Sequence, residues 1–206
     1  MLENDKKKIS GPLLYAIIGV TVLVVAVAGS AYAFFAASAT DTGTIKGDTL
    51  DIKLGLKVEK VSTGTGNLIP IHDGSNATSQ LAKAASASSS CVDDNGRTVC
   101  HIYKITISNT GGDNANVNST VALTGSANLK WANMSNQTTV GATHAKTDTT
   151  VATNASVNAG GNSVQYIMVY INNTGDNQTA ADGGTSFSGV ITVTASTGEA
   201  VQATFN

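Results

Sequence analysis

Beyond residue 44 the chain alternates. Leu50, Ile52, Leu54, Leu56 and Val58 are interleaved with Asp51, Lys53, Gly55, Lys57 and Glu59, so an extended backbone puts every aliphatic side chain on one face. The same period of two returns in Val99-His101-Tyr103-Ile105-Ile107, Val117-Ser119-Val121-Leu123, Phe187-Gly189-Ile191-Val193 and Val201-Ala203-Phe205. The run SVQYIMVYI, residues 163–171, is apolar on both faces and predicts a central strand covered on both sides. Turn-forming clusters such as NTGGDN, NNTGDN and ADGG separate the runs, and no helix is expected after residue 44, for want of a convincing helical stripe. The pattern predicts an all-β fold, a single jelly-roll or β-sandwich domain of eight or nine strands.

The N-terminal residues follow another pattern. MLENDKKKIS is charged, GPLLYAIIGVTVLVVAVAG is apolar, and Ala31-Tyr32-Ala33 places small residues two apart before Phe34. Those are the three parts of a secretory signal, with Ala33 as the candidate cleavage residue. No charge occurs from Ile9 to Thr40, a run that can also span a bilayer, with Lys6 to Lys8 held on the cytoplasmic side. Three outcomes compete: removal after Ala33, retention as an uncleaved anchor, and cleavage near Gly11 with the apolar helix kept, as in type IV pilins and archaellins. Pro12 opposes the third, because proline fixes the backbone that a protease substrate must adjust.

Composition narrows the choice of function. Only 13% of the residues are charged against 41% hydrophobic, a thin charged coat for a protein facing water. Removing residues 1–33 takes Lys6, Lys7, Lys8, Glu3 and Asp5 out of 12 basic and 14 acidic groups, leaving a formal charge of −3. Arg97 is the sole arginine and the lysines are scattered, which excludes a nucleic-acid footprint.

Cys91 and Cys100 flank the sequence CVDDNGRTVC. If Asn95-Gly96 forms a two-residue type I′ turn, the pairs run outward as Asp94/Arg97, Asp93/Thr98, Val92/Val99 and Cys91/Cys100. The cysteines then meet at a narrow, non-hydrogen-bonded pair, within reach of a disulfide. A redox or metal role has little behind it, since neither a CxxC nor a clustered histidine accompanies them.

Catalytic signatures are lacking. His72, His101 and His144 lie far apart in sequence, and neither HExxH nor GxSxG occurs; His101, on the apolar face of its strand, reads as a packed or hydrogen-bonded histidine. Acidic scraps around Asp113 and Asp176 do not continue into a calcium loop. No enzyme, metal or cofactor is expected. Seven Asn-x-Ser/Thr sequons begin at Asn76, Asn118, Asn133, Asn136, Asn154, Asn172 and Asn177. Asn118 faces away from Val117 and Val121, Asn133, Asn136 and Asn177 are expected in loops, and Asn172 ends a strand.

AYAFFAASATDTGTIKGDTLDIKLG, followed by YKITISNTGGDNANVNSTVAL, resembles the opening of the TasA/camelysin-like secreted filament subunits, a group similar to archaeal bundling pili and thread filament proteins. The shared features are an apolar signal, an Ala-Phe junction, a G-x-T-L-D-I strand and a strand ending in Asn-x-Gly. The resemblance extends over about the first 125 residues. It implies a secreted jelly-roll subunit that polymerises head to tail, the N-terminal segment of one copy completing a sheet of the next. Carried onto this chain, residues 1–33 are the signal peptide, 34–46 the donor extension and 47–206 the β-sandwich, with Phe34, Phe35, Ala36, Ala37, Ser38, Ala39 and Thr40 as the donor strand. The metalloprotease activity attributed to camelysins is not carried over, for want of a metal constellation.

The donor segment makes the same case on its own chemistry. FFAASAT is uncharged and fit for an extended backbone, and each phenyl ring left in water forgoes roughly 2 kcal/mol of burial. Inserted at a neighbour's open edge it gains ladder hydrogen bonds, and such a head-to-tail contact propagates into a fibre. The expectation is an extracellular, cell-surface filament serving adhesion, cell bundling or biofilm, with identical subunits, export machinery including a signal peptidase, and neighbouring filaments or cell surfaces as partners. The competing readings are a pilin-like or archaellin-like subunit with a retained helix, and a membrane-tethered glycoprotein binding module.

Overall fold

The computed structural model describes residues 50–72, 77–86, 91–173 and 186–206, all within one compact unit that spans Thr49–Asn206. Ten strands and one helix follow in chain order: β1 (Leu54–Lys60), β2 (Ile71–His72), α1 (Ala77–Ser86), β3 (Cys100–Asn109), β4 (Ala115–Thr124), β5 (Leu129–Met134), β6 (Val140–Ala145), β7 (Thr150–Val157), β8 (Asn162–Asn173), β9 (Ser188–Ala195) and β10 (Ala200–Phe205). The all-β sandwich is as expected. One sheet runs β1-β3-β8-β5-β6, with the short β2 added parallel to the end of β8, and the second runs β10-β9-β4-β7. Every other pairing is antiparallel.

Alternation along the strands assigns the side chains to two cores. Tyr103, Ile105 and Ile107 of β3 and Ile167, Val169 and Ile171 of β8 meet Val117, Val121, Ile191 and Val193 between the sheets. Ile102 of β3 and Met168 of β8, on the opposite face, pack with Leu81, Ala84, Ala85, Cys91 and Cys100. The predicted two-sided strand is therefore β8, central in its sheet and apolar on both faces. What covers its outer face is α1, which overturns the expectation that no helix follows residue 44. Leu81, Ala84 and Ala85 form a helical stripe at i, i+3 and i+4, and alanines supply two of its three positions.

The cysteine hairpin keeps its disulfide and changes its turn. Cys91 and Cys100 are bonded with their Cα atoms 5.0 Å apart, but the loop has three residues rather than two. Asp93 N–H donates to Arg97 O at 2.8 Å and Gly96 N–H to Asp93 O at 2.9 Å. Gly96 alone adopts a left-handed conformation, at φ 74°; Asn95 does not, as a type I′ turn would need. The Asp93 carboxylate decides this by accepting from Asn95 N–H at 2.9 Å and Arg97 N–H at 2.7 Å. Val92 consequently pairs with Thr98, not Val99, and the expected Cys91/Cys100 register slips by one. Cys91 makes up the difference at φ 56°, its carbonyl accepting from Val99 N–H at 2.8 Å and Cys100 N–H at 3.4 Å.

Candidate assembly seam

The start of β1 is held by the loop that ends β3. Alternation predicted an extended run from Leu50; instead Ile52 N–H turns back to Leu50 O at 3.0 Å, Leu50 is 51% exposed, and regular pairing begins at Leu54. The reason is the Asn109-Thr110-Gly111-Gly112-Asp113 loop. The buried Asn109 carboxamide accepts from Lys53 N–H at 3.2 Å and Gly111 N–H at 3.0 Å, and donates to Asp113 O at 2.7 Å. Asp51 N–H donates to the Asp113 carboxylate at 2.8 Å, Gly112 N–H to the Asp51 carboxylate at 3.2 Å, and Asp113 N–H to Asp51 O at 3.2 Å. Lys53 beside it, together with the Gly112 N–H, holds the Asp51 carboxyl below its usual range. A Cβ at Gly111 would fall on the Asp51 carbonyl, so only glycine lets the two backbones approach this closely. The Asn-x-Gly signature is thus a clamp that fixes the chain immediately before β1.

Among the described residues the two sheet paths end on β1 and β6 in one sheet and on β10 and β7 in the other, with the two-residue β2 beside the end of β8. Two of these four end strands are interrupted. The β4–β7 register shifts between Val117 and Thr120, where Asn154 takes φ 52° and donates its N–H to Asn118 Oδ1 at 2.8 Å; the β5–β6 register shifts between Ala132 and Met134. Bulges of this kind twist an edge away from further pairing. β1 and β10 hold unbroken register along their whole lengths.

Those two regular edges lie side by side. Glu199 Oε1 accepts from Leu54 N–H at 3.0 Å, while Lys60 at the other end of β1 pairs with Tyr103, whose ring centroid is 4.4 Å from that of Phe205. β1 and β10 therefore run in the same direction. Lys53 O accepts from Thr110 N–H and Val61 N–H donates to Ile102 O, so the odd residues of β1 bond to β3 and the even ones face outward. Glu199 satisfies Leu54 N–H, and the outward groups of Leu56 and Val58 have no partner among the described residues. Ala195 N–H to Glu199 O sets the matching alternation in β10, which turns Ala200, Gln202 and Thr204 outward. Leu54, Leu56, Val58 and Val201 reach the inter-sheet core yet remain only partly buried. Among the described residues the seam thus presents unpaired backbone and half-covered aliphatic side chains together.

Polar and aromatic groups close one end of it. Lys60 Nζ donates to Gly64 O at 2.9 Å and lies 3.3 Å from His101 Nε2, and His101 Nδ1 lies 3.3 Å from the Tyr103 hydroxyl. Burial, with the Lys60 ammonium adding to it, lowers the His101 pKa to about 4, so its ring is neutral at pH 7, with Nε2 accepting and Nδ1–H donating. Burial also lowers the Lys60 pKa and raises that of the Tyr103 hydroxyl. His101 is the hydrogen-bonded core histidine the sequence predicts. His144 stacks on Trp131 at 4.2 Å, a pairing that sequence spacing did not reveal.

Ala33, the donor residues Phe34 to Thr40, and the sequons at Asn76 and Asn177 lie outside the described residues. Of the other sequons, Asn118, Asn136 and Asn154 are exposed and Asn133 and Asn172 are partly buried. Asn133 is in β5 rather than the expected loop. It shares the inter-sheet face with Leu129 and Trp131, and its Nδ2 lies 3.3 Å from His144 Nε2.

No protein-family model matches the chain, and comparison with curated proteins finds no relative. Among solved structures, a FixG-related protein from Vibrio parahaemolyticus aligns at 11% identity and TM-score 0.35, covering 74% of this chain and 92% of that one. The putative ApaA protein from Bordetella pertussis aligns at 10% identity and TM-score 0.23, over 76% and 91% of the two chains. The β-D-glucoside glucohydrolase of Trichoderma reesei aligns at 13% identity and TM-score 0.30, over 77% of this chain and 19% of the enzyme. No substrate, partner or assembly passes from these proteins to this chain.

Proposed function

We propose that the protein is a structural, non-catalytic subunit of an extracellular surface filament, similar to the TasA/camelysin-like subunits, and that it polymerises head to tail by donor-strand complementation. Residues 34–46 of one copy add as a strand to the β1/β10 seam of another. The observation that carries this reading is the seam itself, where the two uninterrupted edges coincide with aliphatic side chains left half-covered. β1 and β10 approach within 8 Å at Cα, whereas a strand seated between two others needs about 9.6 Å. Insertion therefore widens the seam, and Phe34, Phe35 and the small residues after them fill the space opened.

The test is deletion of Phe34 to Thr40 in the secreted chain, followed by electron microscopy and light scattering. Folded subunits without fibres are expected, together with a mature N-terminus at or near Phe34 by mass spectrometry of wild-type surface material. A deletion variant that still makes normal fibres would overturn the proposal. A start near Pro12 would put a retained helix in its place.

A further inference from the structure

We infer that Asn118, Asn136 and Asn154 carry N-linked glycans on the half of the sandwich remote from the seam, and that Asn133 and Asn172 stay unmodified. A sequon is used only where Nδ2 can leave the protein surface and take a sugar outward. Asn136 meets this best. In the β5–β6 turn its Oδ1 accepts from Thr138 N–H, Thr138 Oγ1 and Thr139 N–H, each at 2.9 Å, which spends the carbonyl on the turn and leaves the exposed amide nitrogen to solvent. Asn118 and Asn154 are joined on the outer face of β4 and β7 by the Asn154 N–H to Asn118 Oδ1 bond, again engaging a carbonyl oxygen and not the acceptor nitrogen. Val117 beside Asn118 is buried in the inter-sheet core, and Ala155 beside Asn154 packs against the same core.

The other two fail for different reasons. Asn133 faces the inter-sheet space, and its Nδ2 is the atom placed against His144. Asn172 lies on the face of β8 that carries Met168 beneath α1, with its Oδ1 buried and unpartnered. The accepted positions share a side: β4, the β5–β6 turn and β7 belong to the half of the sandwich that bears the interrupted β6 and β7 edges. β1, β3, β9 and β10 contain no sequon. Sugar on this half would shield the two edges that must not pair and leave the seam clear, while offsetting the thin charged coat.

This inference rests on the export half of the proposed function and not on polymerisation, so a chain that reaches the surface without forming fibres still tests it. Surface material is digested with chymotrypsin, which cuts after Tyr166 and Tyr170 and separates Asn154 from Asn172; fragment spectra that retain the glycan distinguish Asn133 from Asn136. Glycan mass on Asn118, Asn136 and Asn154, with Asn133 and Asn172 bare, is the expected result. Occupancy at Asn133 or Asn172, or a bare Asn136, would overturn it. The triple variant N118Q/N136Q/N154Q should keep its fibres, and loss of fibres from a variant with an unchanged melting curve would overturn the assignment of these sites to the side away from the seam.

Discussion

Replacing Asn109 by alanine removes three hydrogen bonds from the place where the chain approaches β1. The carboxamide accepts from Lys53 and Gly111 N–H and donates to Asp113 O, and the residue is 0% exposed. Each such bond is worth about 1 kcal/mol net, and the buried Gly111 N–H loses its partner as well. The loss comes to about 3–4 kcal/mol. At about 2–4 °C per kcal/mol for a domain of this size, the midpoint of thermal unfolding should fall by about 6–16 °C, read by circular dichroism. Asn114→Ala is the control: it removes the single exposed bond from Ala159 N–H to Asn114 Oδ1, 2.9 Å long, and should cost under about 1 kcal/mol. Well below its melting point, Asn109→Ala should also slow fibre growth, because residues 51–53 are no longer aimed. Equal thermal shifts in the two variants would refute the clamp.

Replacing both Cys91 and Cys100 by serine releases a sequence separation of 9; it should cost about 2–3 kcal/mol by loop entropy while fibres still form, and fibre loss from a folded variant would give the disulfide an assembly role. Burial holds the His101 pKa at about 4, below the ordinary histidine value of 6.5, so the unfolded chain binds the proton first. Stability is therefore complete above about pH 6.5 and falls by up to about 3 kcal/mol as pH drops to about 4. Urea midpoints at pH 7 and pH 4.5 should differ by less in His101→Gln, and an identical difference in both proteins would count against this source. A Cβ at Gly189 would run into the Phe205 ring across the β9–β10 pair, so Gly189→Ala should destabilise by about 1–3 kcal/mol. Combined with Phe205→Ala it should cost less than the sum of the two single changes, as a double-mutant cycle would show.

Strands whose two faces differ in polarity, or that are apolar throughout, were legible because burial writes itself into alternation. β3, β4, β8, β9 and β10 all followed from it. β6 and β7 did not, since edge strands such as VGATHA bury little and need few aliphatic residues. Helix α1 escaped because alanine fills most of its buried stripe, and alanine is common on any surface. The turn at Gly96 was misread for a reason one step removed from the Asn-Gly pair: the carboxylate of Asp93, two residues before Asn95, selects the three-residue loop. At the seam the hydrophobic members Leu54, Leu56 and Val58 were visible, but their incomplete cover was not. That property depends on which strand ends up at the edge, and strand order arises from pairings distant in sequence.

Under donor-strand complementation, residues 34–46 of one copy would occupy the β1/β10 seam of another. A photoreactive phenylalanine analogue at position 35, in fibres assembled from equal amounts of 14N- and 15N-labelled subunits, tests it most directly. Cross-linked peptides should join the tail to Leu54–Lys60 or Ala200–Phe205, with mixed isotope labels in about half of them, as random pairing between copies requires. Cross-links confined to one label would show a tail folded onto its own domain, and cross-links to β6 or β7 would place the assembly contact on the other side of the sandwich; either would rule out donor-strand exchange at the β1/β10 seam.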